Sequence, residues 1–240
     1  MAKPLEFRQL FDEETSTFTY LLFDGATKEG ILIDSVLEQV DRDVQLLKDL
    51  GVKLVYTLDT HVHADHITGA GKLREQLGCK FGLGKGAGLE CADLLMADGE
   101  TLEFSGHQVK ALATPGHTDG CTSFLIDDMV FTGDALFIRG CGRTDFQQGS
   151  PERLWDSVKN QLFTLPDATK VYPGHDYKGM TMTTVAEEKA LNPRLGGTKT
   201  KEEFVQIMNN LNLPYPKKLD ASLPANLACG MVLKEAAASA

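Results

Sequence analysis

Within six residues, His61-Val62-His63-Ala64-Asp65-His66, the chain offers four side chains able to bind a metal ion. In an extended segment residues two apart project to the same side, so His61 and His63 can converge on one point. Asp65 and His66 fall where the chain is expected to turn into a helix, within reach of a second point nearby. Three more ligand types follow, each directly after a glycine: His117 in Thr114-Pro115-Gly116-His117, Asp134 in Phe131-Thr132-Gly133-Asp134, and His175 in Tyr172-Pro173-Gly174-His175. Glycine permits the turn that aims the next side chain into a cleft. These seven ligands suffice for one metal or for two. A zinc pair would lower the pKa of a bound water to about 7 and favour hydrolysis. Two histidines and one carboxylate on a single Fe(II) leave open positions for dioxygen chemistry.

The elements that must position these ligands are readable around them. An apolar strand at residues 54–58 runs straight into the histidine cluster, and a helix is expected from about residue 65 to 77, stopped by Gly78. Strands are predicted over residues 108–113, 122–126 and 129–132, and over 170–172, which leads into His175. Upstream, Leu21-Leu22-Phe23 and Ile31-Leu32-Ile33 read as strands with Asp24-Gly25 in the stretch between them. Leu37, Val40, Val44, Leu47 and Leu50 recur every three or four residues, one buried face of a helix that Gly51 ends. Pro151 opens a helix through residue 162, and helical patterns return at 185–191 and 201–211. Strand-rich and helical stretches occur twice in similar order, which suits an α/β fold of two sheets face to face with helices outside, a four-layer αββα sandwich. A single domain over residues 1–232 is expected, with 233–240 a flexible tail.

Composition narrows the function classes. With 240 residues, 42% of them hydrophobic, the chain can bury one good core. A net charge of -10, with Lys and Arg scattered among carboxylates, argues against nucleic acid as partner. The five cysteines are odd in number and widely spaced, with no C-x-x-C, so neither a disulfide framework nor a zinc ribbon is expected. No apolar run of about 18 residues suggests a membrane span, and the amino terminus lacks a signal-peptide pattern. A reducing cytoplasm is the expected compartment. A homodimer is the default assembly for such an enzyme.

The ligand pattern His-x-His-x-Asp-His with His117, Asp134 and His175 is that of the metallo-β-lactamase superfamily. The resemblance goes further in Gly140-Cys141-Gly142-Arg143-Thr144-Asp145-Phe146-Gln147, Gly174-His175-Asp176-Tyr177-Lys178-Gly179, Glu187-Glu188-Lys189 with Asn192-Pro193-Arg194, and Pro224-Ala225-Asn226-Leu227 with Cys229-Gly230. These blocks resemble the persulfide dioxygenases, the ethylmalonic-encephalopathy protein family, over about residues 7–230. The resemblance implies oxidation of glutathione persulfide by dioxygen to sulfite and glutathione, a step of hydrogen sulfide oxidation, at one Fe(II) per chain. It implies His61, His117 and Asp134 as iron ligands, with His63, Asp65, His66, His175 and Asp176 behind them or forming a second metal position. Because the chain carries no sulfurtransferase domain, a separate sulfurtransferase is a candidate source of persulfide.

Glutathione carries two carboxylates. Arg143, close in sequence to Asp134, is the first choice to bind one, since a guanidinium makes two parallel hydrogen bonds to a carboxylate. Tyr177 and Arg194 are the other choices, and Asp176 could orient a histidine or Arg143. Other residues have plainer readings: His107 as an exposed or packed histidine, Cys141 and Cys229 as small buried hydrophobes, and Trp155 as core. The main alternative function is a glyoxalase II-like hydrolase of glutathione thiolesters with two metals. A metal-binding sulfur carrier is a third, disfavoured by so complete a ligand set.

Overall fold

The computed structural model describes residues 5–231; the tail expected at 233–240 lies outside them. Two six-stranded sheets pack face to face. In the first, β1 (Leu5–Asp12), β2 (Thr17–Asp24), β3 (Glu29–Ile33), β4 (Lys53–Asp59), β5 (Lys80–Gly84) and β6 (Leu94–Met96) lie in chain order. The pairs from β1 to β3 are antiparallel and those from β3 to β6 parallel. The second sheet also follows chain order: β7 (Thr101–Phe104), β8 (His107–Ala113), β9 (Thr122–Ile126), β10 (Met129–Gly133), β11 (Lys170–Pro173) and β12 (Thr183–Thr184), antiparallel except for the parallel pair of β10 with β11.

Alternation along the strands sorts side chains into three apolar layers. Tyr20, Leu22, Ile31, Ile33 and Leu58 meet Val109, Ala111, Phe124, Ile126 and Phe131 between the sheets. Leu21, Phe23, Leu32 and Leu54 point the opposite way, onto α1 (Val40–Leu50) and α2 (Ala70–Leu77). On the outer face of the second sheet, Leu112, Val130 and Val171 pack on α3 (Pro151–Ser157), α4 (Val185–Leu191) and α5 (Lys201–Asn209). The whole of β2 is buried because both its faces are covered. The layers form the expected αββα sandwich. A last helix, α6 (Leu219–Leu227), lies near the carboxy terminus.

Three local differences from the sequence reading have physical causes. Residues 65–69 are not helical, because their backbone groups bond elsewhere: Ile67 O accepts from Leu37 N, Gly69 N donates to Ser35 O, and Thr68 N donates to the Asn226 side chain. The helix therefore begins at Ala70. The helix opened by Pro151, with Ser150 capping Arg153 N, widens into a π-type turn over Val158–Leu162. The first turn at Leu37–Gln39 is 3-10, and α1 ends as expected on Gly51 at φ 65°.

The cysteines also differ from the sequence reading. Cys91 and Cys229, 138 residues apart, form a disulfide, while Cys79, Cys121 and Cys141 are buried free thiols. The pairing comes from a long-range approach of the segment before β6 to the turn after α6, which spacing does not encode. His107, read as exposed or merely packed, is buried and hydrogen-bonds the buried Asp24 at 3.0 Å.

Candidate metal centre

The ligand-bearing loops emerge from the same edge of the sandwich. His61 and His63 follow β4, His117 follows β8, Asp134 follows β10 and His175 follows β11. An antiparallel bridge joins Thr17 to His175, and Thr122 N donates to Thr60 O, so the two sheets are stitched together at the site. The ligand atoms of His61, His117 and Asp134 lie within 4.8 Å of one another, and all three residues are buried. His63, Asp65 and His66 form a second such group. His175 reaches across both, its Nε2 3.5 Å from Asp134 Oδ1 and 3.6 Å from Asp65 Oδ2. All seven ligands read from the sequence therefore share one cleft.

Glycines make this closeness possible. Gly133 has φ +49°, and a Cβ there would lie 2.3 Å from Thr60 Oγ1. A Cβ on Gly142 would meet Asp134 O at 2.6 Å and His117 Nδ1 at 3.0 Å. Any side chain at either position would push the ligand loops apart.

Hydrogen bonds fix the tautomers. His117 Nδ1 donates to the Arg143 carbonyl at 2.6 Å, so Nε2 is the nitrogen turned toward Asp134 Oδ2, 3.5 Å away. Thr60 gives its hydroxyl proton to Asp34 Oδ2 at 2.9 Å, so its oxygen accepts from His61 Nδ1 at 3.0 Å. His61 Nε2 is likewise the nitrogen left for the centre. Burial, together with the neighbouring His63 and His117, pushes the His61 pKa well below its ordinary value and keeps the ring neutral. Asp134 Oδ1 is buried with no hydrogen-bond donor. Two imidazoles with Nδ1 already hydrogen-bonded and an under-satisfied carboxylate facing one point are the donor set of a transition-metal site.

The second group is partly engaged by its own partners, with His63 Nδ1 and His66 Nε2 buried and unpaired. His63 Nε2 lies 3.2 Å from Asp34 Oδ1; burial opposes charging of this ring, but Asp34 outweighs it and lifts the pKa to about 10. Asp65 Oδ2 contacts His66 Nδ1 at 2.8 Å and accepts from Thr17 Oγ1 at 3.1 Å. Burial would raise the Asp65 pKa, yet His66 and His175 hold it well below the carboxylate range. His175 Nδ1 contacts the Ser16 carbonyl at 3.2 Å. Burial lowers and Asp134 and Asp65 raise the pKa of His175, with a net rise.

The substrate residues expected from the sequence ring this centre unequally. Arg143 forks onto Asp145 through Nε and NH2 (2.6 and 2.7 Å), and its NH1 donates to Pro214 O at 2.8 Å. Its guanidinium also lies 4.6 Å from the Phe146 ring. Tyr177 is 70% exposed and stacks parallel to the His175 ring, which places it at the mouth. Arg194 NH1 donates to Cys141 O at 3.3 Å, one residue from Gly142. Asp176 accepts from Lys178 N and Met180 N, so it caps a turn, instead of orienting a histidine or Arg143.

Asp34, Thr60, Ser16 and Thr17 were not singled out from sequence. The available signals were slight: an aspartate closing the Ile31-Leu32-Ile33 run and a threonine next to His61.

The profile described as the metallo-beta-lactamase superfamily matches residues 13–175. The chain belongs to this superfamily. Among its members, the human protein named "Persulfide dioxygenase ETHE1, mitochondrial" is 52% identical over 231 residues, 95% of this chain and 90% of the human one. The crystal structure of ETHE1 from Myxococcus xanthus superposes with a TM-score of 0.91 at 55% identity, covering 94% of this chain and 99% of that one. A Dictyostelium discoideum protein named "Glyoxylase B2" is 32% identical, covering 92% of this chain and 90% of its own. With identity above one half across nearly its whole length, this metallo-β-lactamase chain belongs to the ETHE1 family. No helix among the described residues is long and apolar enough to cross a membrane.

Proposed function

We propose that this enzyme is a persulfide dioxygenase that converts glutathione persulfide, dioxygen and water to glutathione and sulfite at one Fe(II) held by His61, His117 and Asp134. The single observation that carries the reading is the contrast between the two carboxylates. Asp134 Oδ1 stands beside His61 and His117 with no hydrogen-bond donor, whereas Asp65 Oδ2 contacts His66 Nδ1 and accepts from Thr17 Oγ1. The names of the ETHE1 relatives support the persulfide as substrate.

Bound Fe(II) supplies the one-electron chemistry by which dioxygen reacts with a spin-paired sulfur. The protein contributes the rest. Asp134 offsets metal charge, and Thr60 and the Arg143 carbonyl hold His61 and His117 in the tautomer that presents Nε2. Burial of the ligands limits competing water. At the mouth, Arg143 binds a glutathione carboxylate by exchanging the neutral Pro214 carbonyl for a stronger, charged acceptor. Tyr177 and Arg194 complete the substrate wall.

In the overall balance the sulfane sulfur of the persulfide gives four electrons to dioxygen, water supplies the third sulfite oxygen, and the S–S bond breaks to release the glutathione thiol. A separate sulfurtransferase supplies the persulfide, and the enzyme works as a homodimer in the cytoplasm. We take residues 1–232 as one domain.

A glyoxalase II-like reading, with two metals cleaving a glutathione thiolester, would place the second metal at the group of His63, Asp65 and His66, where Asp65 Oδ2 would have to exchange its contacts with His66 and Thr17. The deciding experiment supplies glutathione persulfide or S-lactoylglutathione to iron-loaded protein and follows oxygen, sulfite and free thiol. Equal oxygen loss and sulfite gain support the dioxygenase; thiolester cleavage without oxygen uptake overturns it.

A further inference from the structure

Two of the blocks singled out in the sequence each send one carboxamide to the same short piece of backbone. Gln147 Nε2 donates to the Val62 carbonyl at 2.8 Å. Asn226 Nδ2 donates to the carbonyls of both His63 (2.9 Å) and His66 (2.8 Å), while its Oδ1 accepts from Thr68 N at 2.9 Å. All four backbone partners lie in the 62–68 loop, which starts next to His61 and carries His63, Asp65 and His66.

This loop has no regular hydrogen-bond ladder of its own, since β4 ends at Asp59 and α2 begins at Ala70. Buried carbonyls without partners are costly, and here side chains from 85 and 158 residues away supply them. The chemistry of the amide suits the position. Asn226 is buried and uses both N–H groups and its oxygen at once. It does so without adding charge beside a cluster of imidazoles, as a lysine or arginine would.

The surrounding backbone is shaped around these contacts. Gln147 has φ +47°, a strained value for a residue with a side chain, and such strain persists where the surroundings impose it. The turn after Asn226 presses on the start of α2: a Cβ on Gly71 would lie 2.9 Å from Gly230 O, and one on Gly230 2.6 Å from Thr68 O. The Cys91–Cys229 disulfide pins this same turn.

We infer that Gln147 and Asn226 are positioning residues, a two-armed carboxamide clamp that fixes the 62–68 loop so that His61 keeps its place on the metal and His63, Asp65 and His66 stay within their own hydrogen bonds. The inference rests on His61 as a metal ligand, and not on the identity of the substrate.

The test is the rate at which excess EDTA strips iron, and separately zinc, from the loaded full-length protein well below its melting temperature. Gln147→Glu and Asn226→Asp keep side-chain shape but replace N–H donors with oxygens that face carbonyls. Each is expected to lose metal about tenfold faster than wild type. Asp24→Asn serves as the control for general destabilisation, because Asp24 closes β2 at the end opposite Thr17, far along the strand from the site.

Stripping at the wild-type rate in Gln147→Glu overturns the clamp. So does equal acceleration in the control at the same loss of melting temperature. If Asn226→Asp does not fold, the partly exposed Gln147 still decides the matter. Stripping reads any bound metal, so a failed persulfide assay leaves this result standing, and a failed clamp leaves the persulfide assay standing.

Discussion

The backbone carbonyl of Arg143 accepts the Nδ1 proton of His117 at 2.6 Å, while the guanidinium of the same residue is held by Asp145 and the Pro214 carbonyl. On the proposed reading one residue serves two purposes through two different groups: its main chain orients His117 for the metal and its side chain binds substrate. Truncating the side chain separates them.

In Arg143→Ala the carbonyl remains, so iron content should match wild type. Loss of a charge-assisted contact to a substrate carboxylate is worth about 2 kcal/mol, so kcat/KM for glutathione persulfide should fall roughly thirtyfold. Metal analysis and steady-state oxygen uptake on one sample check both halves. Unchanged kinetics would remove Arg143 from the substrate site.

His61→Ala and Asp134→Ala should lower iron content about tenfold or more and remove oxygen uptake with it. Both side chains sit at loop ends beyond β4 and β10, so the circular dichroism spectrum should be retained. A variant that keeps full iron and activity would contradict its assignment as a ligand.

Acid stability should report the buried Asp24. Hydrogen bonding from Thr27 N–H is the largest influence on its carboxyl; burial opposes this, His107 adds to it, and the pKa falls to about 2 from an ordinary 3.8. A pKa depressed on folding means the stabilisation is fully present above about pH 4 and is lost as the pH falls toward 2. Urea titrations between pH 5 and 2 should show a steeper loss in wild type than in Asp24→Asn. Parallel curves would show that Asp24 does not contribute.

The Cys91–Cys229 bond closes a loop of 138 residues. Cys91→Ser should reduce stability by about 2–4 kcal/mol, read from denaturant midpoints. A midpoint equal to wild type in the absence of reductant would mean the bond does not form in solution.

The sequence made some of this architecture legible and hid the rest for identifiable reasons. His61, His63, Asp65 and His66 are visible because one strand end delivers them consecutively, and α1 is visible because Val40, Val44 and Leu47 repeat at helical spacing. Strand β1 is half-exposed at a sheet edge, so its alternation is weak. Helix α6 carries Pro224 in its interior, which reads as a breaker. Residues 65–69 looked helical, but Ser35, Leu37 and Asn226 take their backbone groups first.

In the site, ligand types could be read but their supports could not. Asp34 orders His61 through Thr60 and holds His63 directly, a role created by β3 lying beside β4. Likewise Arg139, which bonds the buried Glu188 through both its backbone N–H and its guanidinium, joins two segments 49 residues apart. Such contacts exist only once the sheets have assembled.

The central claim is that one Fe(II), on His61, His117 and Asp134, carries the oxidation. The most direct measurement is an anaerobic titration of metal-free protein with Fe(II), with the initial rate of persulfide-dependent oxygen uptake determined at each point. The account predicts a rate that rises linearly and reaches its plateau at one equivalent per chain. A plateau at two equivalents, or no oxygen uptake at any iron content, would contradict it.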